Sequence, residues 1–181
     1  LERDVVAALR ANAVAALRKP LARRVAAQLL RKREPAALDR VPLHAATTTR
    51  LLVDLNRSIG HRQLFSEFTR ALPRASRHDI VDRYYRPHRQ AVEAEIARLV
   101  ESGRRVIHVA SHSFTPTLYD APRQADVAWL YDPRRPGEVA FARAGMRELA
   151  RLAPDLRLRR NYPYRGRGDG LTAALRRHHP D

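Results

Sequence analysis

A histidine follows an apolar run near the middle of the chain, in the segment Ser111-His112-Ser113. The apolar run and the Thr-Pro pair beyond it predict a buried strand over residues 105–112. Ligands and metals bind at the carboxyl ends of strands in α/β sheets, and neutral imidazole is a good zinc ligand. His112 is therefore a candidate metal ligand. The alternative is a histidine that only forms a hydrogen bond where a strand ends.

A second apolar run ends in Asn56 and Arg57. A planar guanidinium binds a carboxylate through two parallel hydrogen bonds, which a lysine cannot reproduce. Arg57 is therefore predicted to hold a substrate carboxylate, with Asn56 beside it. Asp54 is predicted either to pair with an arginine and fix its orientation or to cap the turn. The alternative for Arg57 is an ordinary surface arginine.

Polar and aromatic side chains also follow a third, short run. Asn161, Tyr162 and Tyr164 come directly after residues 156–160 and are candidates to line a pocket with amide and phenol groups. The alternative is a tight turn containing proline in which the tyrosines only pack. Arg123 lies in the loop after the His112 strand. It is either a binding residue or a solvated loop arginine, and the sequence leaves both alternatives open.

The hydrophobic periodicity predicts strands that alternate with helices. Strands are expected at 48–56, 105–112, 127–131 and 156–160, and helices at 78–102, 137–152 and 170–178. Residues 60–76 are expected to be a helix or a lid-like loop. Pro87 should kink or split the first of these helices, and Gly103 should end it.

This alternation predicts an α/β fold with a mixed, largely parallel sheet between helices. We expect residues 51–56, 105–112 and 127–131 to share one sheet, with Asn56, Arg57 and His112 at the same edge. If the strand continues through residue 112, His108 lies on the same face as His112 and is either a support for the metal ligand or a packed histidine.

The beginning of the chain differs from the rest. Residues 1–42 predict a basic amphipathic helical segment that precedes an α/β domain at residues 43–181. For this segment, helices that pack against the protein through their apolar stripes are a more favoured interpretation than helices that bind a membrane. No stretch approaches the ~20 apolar residues of a membrane span, and the start is not typical of a signal peptide. We therefore expect a cytoplasmic protein without a membrane partner.

The net charge of +16 raises the question of nucleic-acid binding. The positive residues are almost all arginines spread along the chain, and neither an RNA-binding aromatic motif nor zinc-finger spacing is present. A basic nucleic-acid-binding module is therefore the lesser alternative. The chain has no cysteine, so a transition-metal site would have to use histidines and carboxylates.

Four segments together resemble the N-formylglutamate amidohydrolase family. They are VDLNRS at 53–58, RYYRPHR at 83–89, HVASHSFTPTLYDAPRQADVAWLYD at 108–132 and RNYPYRGRGDGLTAALRRH at 160–178. The resemblance implies a fold similar to that of the zinc carboxypeptidases, called phosphorylase/hydrolase-like. It implies hydrolysis of a small-molecule acyl amino acid, with zinc as cofactor.

The resemblance also implies roles for particular residues. It implies His112 as a metal ligand, and Asn56, Arg57, Arg123, Asn161 and Tyr164 as substrate-binding residues. At His88 the chain departs slightly from the family pattern, which leaves the role of that residue open.

The resemblance leaves two family elements without a counterpart. The family opens with a strand and a segment that supplies further metal ligands, and residues 1–42 contain no histidine. The family closes with a strand that carries the general-base glutamate, for which the chain offers no counterpart. The catalytic base is therefore unassigned, and weak zinc binding with poor hydrolysis is expected. The alternative function is an inactive or truncated form of the fold that acts as a binding protein.

Overall fold

The computed structural model describes residues 42, 44–112, 114, 116–118 and 120–179. These residues form two compact units. Unit 1 consists of the described residues up to His112 together with residues 169–179, and unit 2 consists of the described residues from 114 to 168. The predicted helical segment 1–42 lies outside the described residues apart from Pro42, so the predicted domain boundary stays a prediction.

A long helix with a change of winding dominates unit 1. Helix α1 covers Arg74–Ile80, a π-helical turn covers Val81–Tyr85, and helix α2 covers Arg86–Glu101. Pro87 lies in the first turn of α2, where a missing N–H is tolerated, so the winding changes directly before it. The predicted disturbance at Pro87 is confirmed. Gly103 follows with a φ of 75°, a left-handed conformation typical of a helix end.

The predicted strand at residues 48–56 is wrong. The backbone there forms successive turns, in which Val53 N–H donates to Thr49 C=O and Arg57 N–H donates to Asp54 C=O. Val53 and Leu55 are nevertheless buried, because they pack against the long helix. That cluster comprises Val53, Leu55, Leu64, Ile80, Val81 and Tyr85. Apolar periodicity therefore correctly predicted burial here, but the backbone hydrogen bonds are local.

The predicted strand at residues 105–112 is also wrong. These residues have no regular secondary structure, and the described part of the chain provides no neighbouring strand for them. A strand needs a partner for its N–H and C=O groups, which an apolar run by itself does not supply. Of the three segments expected to share one sheet, only the third forms a strand.

Unit 2 contains the strands that the described residues form. A short antiparallel hairpin joins β1, Thr117–Leu118, to β2, Ala121–Pro122. Strand β3, Val127–Trp129, runs parallel to β4, Leu158–Arg160. The predicted α/β class with parallel strands is therefore confirmed, although each sheet formed by the described residues has two strands.

Helix α3, Pro136–Leu152, connects the two parallel strands. The indole of Trp129 meets Phe141 edge-on, with ring centroids 5.9 Å apart, and it lies directly over Gly145. A Cβ at residue 145 would overlap the indole, so the absence of a side chain there allows the helix to approach the strand. The predictions of a strand, a helix and a strand at these positions are confirmed, with shorter strands than expected.

Helix α4, Leu171–His178, returns to unit 1 and confirms the predicted final helix. Its buried residues Leu171 and Leu175 pack against Val92 and Ile96 of α2. The described helices do not combine the length and the apolar character that crossing a membrane requires.

Candidate functional site

The buried carboxylate of Asp54 organises the turn that carries Asn56 and Arg57. Its Oδ1 accepts a hydrogen bond of 3.0 Å from the Asn56 N–H, and its Oδ2 accepts one of 2.8 Å from Arg50 Nη2. Arg57 Nε lies 3.8 Å from the same Oδ2. Asp54 therefore both stabilises the turn and restricts the guanidinium of Arg57, which are the two roles the sequence left open.

The side chains of Asn56 and Arg57 both contact the start of α4. Asn56 Oδ1 accepts the N–H of Leu171 at 3.0 Å and so satisfies one of the free donors at the helix terminus. Arg57 Nη1 donates to the C=O of Asp169 at 3.2 Å. A Cβ on Gly170 would lie 3.0 Å from Asn56 Oδ1, so a glycine suits this close approach.

Arg57 keeps donor capacity beyond these contacts. Its Nε is buried without a hydrogen-bond partner among the described residues, and 26% of its side chain is exposed. The hydroxyl of Tyr85 donates to the Arg57 C=O at 2.6 Å, which fixes the backbone at this position. The guanidinium is thus positioned by its neighbours, and the side chain as a whole is partly accessible from solvent.

Asp169 is a second carboxylate of this site. Its Oδ2 accepts the Ser58 N–H at 2.9 Å, and its Oδ1 accepts the Ser58 hydroxyl at 2.5 Å. Burial raises the pKa of Asp169, but the two hydrogen bonds from Ser58 and the nearby positive charges outweigh it, so the pKa ends below its ordinary value of 3.8. The charged form of Asp169 therefore stabilises the folded unit 1.

The Asp169 contact predicts a dependence of stability on pH. Because the folded state lowers the pKa of Asp169, its contribution is present above about pH 4 and is lost as the pH falls through the folded pKa. We expect Asp169→Asn to be less stable than wild type at pH 7 and to lose less stability on acidification. Urea unfolding at a series of pH values between 7 and 3, monitored by circular dichroism, gives the free energy of unfolding of both proteins. Parallel pH profiles for the two proteins would contradict it.

The two central histidines are neutral near pH 7. His112 is exposed by surface area, yet enough protein surrounds its ring that desolvation is the main cause of its lowered pKa, followed by the positive charge of Arg50. The charge of Asp54 opposes this shift. His112 therefore lies within electrostatic range of the Asp54 turn, although the sheet edge predicted to bring them together does not form.

His108 is more enclosed than His112. Its Nδ1 lies 3.1 Å from the Thr172 hydroxyl, and its Nε2 is buried without a hydrogen-bond partner among the described residues. Burial, followed by the charge of His112, lowers the pKa of His108 to about 4. The condition under which the two rings would share one face of a strand is not met, because residues 105–112 do not form that strand. They influence each other electrostatically all the same.

The described residues do not fit a complete catalytic zinc site. Such a site needs three protein ligands, and nowhere in the described ranges do three histidine or carboxylate side chains come close enough to hold a metal ion. His112 provides one neutral imidazole of the right chemical type. We therefore derive no reaction step through a metal.

The other three predicted substrate-binding residues lie in unit 2. Arg123 is buried, and its Nη2 donates to the hydroxyl of Tyr164 at 3.2 Å. Asn161 has a positive φ of 49°, and its Oδ1 accepts the N–H groups of Tyr131 at 3.1 Å and Gly166 at 2.9 Å. The structure thus brings Arg123 and Tyr164 together, while the Asn161 carbonyl is occupied by holding its own loop on the end of β3.

The sequence of the chain matches the profile of a known protein family. A profile of the N-formylglutamate amidohydrolase family matches residues 3–181, which is nearly the whole chain. The chain belongs to the N-formylglutamate amidohydrolase family. The resemblance inferred from the four sequence segments is thereby confirmed.

A solved structure is similar to this member of the amidohydrolase family. It is the gene product Atu2144 from Agrobacterium tumefaciens, with 28% sequence identity and a TM-score of 0.57. The similarity covers 72% of this chain and 52% of that chain, so the present chain spans about half the length of that structure. No curated protein matches the chain.

Sequence reasoning missed Asp169 in this member of the family. The residue lies between Gly168 and Gly170. The signal was the acidic residue itself, directly before a predicted helix and far along the chain from Ser58. Contact across a separation of 111 residues is not visible from local patterns.

Proposed function

We propose that this chain is a hydrolase of the amide bond in an N-acyl amino acid, for which N-formylglutamate is the type substrate of its family. Family membership supports the reaction class. The observation that carries the assignment to unit 1 is that Asp54 and the Asp169 carbonyl hold Arg57, while its Nε has no acceptor in the described part of the chain. A carboxylate-binding group and a neutral imidazole are two of the functions that this reaction needs.

We propose that Arg57 binds the substrate carboxylate. Its Nε lacks an acceptor within the described part of the chain, and charge-assisted hydrogen bonds to a carboxylate would satisfy it. Asp54 and the Asp169 carbonyl restrict the guanidinium beforehand, so less side-chain entropy is lost on binding.

We propose that His112 acts at the amide. Hydrolysis adds the hydroxide of water to the acyl carbon and a proton to the leaving nitrogen, which releases the carboxylic acid and the free amino acid. A neutral imidazole has a lone pair that accepts a proton or binds a metal ion. Zinc remains our prediction for the cofactor, and the general base remains unassigned.

Arg57→Lys tests the assignment of the carboxylate anchor. A lysine keeps the positive charge but loses the planar pair of donors, so we expect KM for N-formylglutamate to rise about tenfold or more. Because the carboxylate does not react, kcat should change little. Steady-state measurement of formate release gives both constants.

Arg62→Lys is the matched control, since Arg62 is an exposed arginine a few residues further along. Its KM should equal that of wild type. An unchanged KM in Arg57→Lys would refute the role of Arg57. Absence of formate release from wild-type protein under all metal conditions would refute the hydrolase proposal for this chain.

A further inference from the structure

A groove lies entirely within unit 2, between helix α3 and strand β4. Its volume is about 460 Å³. Four residues line its helix side, and their spacing of three and four positions places them on one face of α3: Arg143, Met146, Arg147 and Ala150. On the other side, Leu158 and Arg160 are two positions apart in β4 and therefore point to the same face of the strand, and Leu156 lies two residues earlier.

The floor of the groove is aliphatic. Met146, Leu156 and Leu158 are half-buried, and Ala150 is exposed. Met146 is the single methionine of the chain, and its unbranched thioether side chain adapts to apolar partners of different shapes. The described residues that line the groove include no aromatic ring. The floor therefore suits aliphatic side chains and offers no platform on which nucleic-acid bases could stack.

The rim of the groove is cationic. Arg143, Arg147 and Arg160 are all exposed, and none of the ion pairs formed by the described residues of unit 2 includes them. By contrast, Arg134 and Arg151 of the same unit have carboxylates at 2.8 Å and 2.7 Å. Three guanidinium groups that lack a counter-ion within the described residues thus flank one apolar floor.

We propose that this groove docks an acidic segment of a partner protein, in which carboxylate side chains alternate with aliphatic ones. A guanidinium binds a carboxylate through two parallel hydrogen bonds, and removal of the aliphatic side chains from water adds to the binding free energy. This proposal goes beyond the hydrolase function and does not require that the chain turns over any substrate.

The distribution of charge favours this occupant over three others. An anionic lipid carries its charge at one end, whereas the arginines lie on both sides of the floor, as the carboxylates of a peptide can. A second copy of the chain would bring the same excess of positive charge, since the net charge is +16. A nucleic acid would satisfy the arginines and leave the aliphatic floor without a partner.

The test uses the fluorescein-labelled peptide Glu-Leu-Glu-Leu-Glu-Leu-Glu as the probe, and fluorescence anisotropy measures its binding to the full chain. We expect saturable binding that weakens as salt is added, because exposed charges are screened. A peptide with Gln in place of Glu should bind much more weakly, since it lacks the carboxylates. A peptide with Ser in place of Leu should also bind more weakly, since it leaves the aliphatic floor uncovered.

Ala150→Glu tests the position of the binding site. The new side chain fills the floor and places a carboxylate beside Arg147, where it repels the acidic probe. We expect the Kd to rise about tenfold or more, because like charges in contact oppose binding strongly. Ala144→Glu is the matched control, since it makes the same change at an exposed position of α3 outside the groove, and its Kd should equal that of wild type.

A pair of double variants keeps the test decisive should Ala150→Glu fail to fold. Arg143→Gln with Arg147→Gln removes two charges from the rim and should raise the Kd. Arg165→Gln with Arg167→Gln removes two charges from exposed positions of the same unit outside the groove and should leave the Kd unchanged.

Four results would overturn the proposal. They are no saturable binding of the probe to wild type, equal binding of the Gln-containing peptide, an equal loss of affinity in Ala144→Glu, and tighter binding of another occupant that Ala150→Glu abolishes. The other occupants to measure are oligodeoxythymidylate, phosphatidylglycerol vesicles and, by sedimentation equilibrium, a second copy of the chain. Failure of the hydrolase proposal is a separate result, because formate release measures it and it concerns Arg57 and His112.

Discussion

His112→Ala is expected to reduce hydrolysis of N-formylglutamate by about 100-fold or more, the range that the loss of a proton-transfer group produces. The loss of a metal ligand would have at least as large an effect. The imidazole is neutral near pH 7, since partial burial and the charge of Arg50 lower its pKa. The measurements are formate release and zinc content by elemental analysis.

His178→Ala provides the comparison, because it removes an exposed histidine near the end of α4. It should leave both activity and zinc content at the wild-type level. Wild-type rates in His112→Ala would exclude His112 from the reaction. Lost activity with retained zinc would assign His112 to proton transfer and exclude it as a metal ligand.

Gly166→Ala is expected to destabilise unit 2 by about 2–3 kcal/mol, at the upper end of the usual cost of overpacking. A Cβ at residue 166 would overlap the backbone of Tyr131, two residues beyond the end of β3. A flexible side chain can move away from such a contact, whereas a strand-end backbone cannot do so without disturbing its hydrogen bonds. The Gly166 N–H also donates to Asn161 Oδ1, so displacement of the loop would strain this contact.

Urea unfolding followed by the fluorescence of Trp129 measures this cost. The chain contains a single tryptophan, which lies in β3 and therefore reports on unit 2. Gly168→Ala in the same loop is the control, because a Cβ there would meet its nearest atom at an ordinary 3.5 Å. Equal unfolding midpoints for the two variants would show that the loop can shift away from Tyr131 at little cost.

Local sequence patterns were sufficient to predict the elements that depend mainly on residues near each other in the chain. The strand, helix and strand over residues 127–160 follow from periodicity. The disturbance at Pro87 and the helix end at Gly103 follow from backbone chemistry alone. The four motifs also determined the family, because their combination and order are specific to it.

The tertiary structure decided how the apolar runs before Asn56 and His112 fold. Both runs are rich in apolar residues, which predicts burial but not the partner that a strand requires. Residues 51–56 satisfy their backbone through turns and pack on the long helix, and residues 105–112 remain irregular. Burial is a property of the side chains, whereas sheet formation depends on a second segment that the sequence does not identify.

The roles of the polar site residues were likewise decided by contacts between distant positions. Asn56 accepts from Leu171, and Ser58 binds Asp169, so much of the polar cluster fixes α4 in place. Arg123 is an ordinary loop arginine in the sequence, whereas in the structure it is buried and two of its donor nitrogens have no partner among the described residues. Residue type and spacing determined which chemistry each side chain can perform. Burial and hydrogen bonding within the protein depend on the whole fold. They decided which donor and acceptor groups of these side chains remain available to bind a ligand.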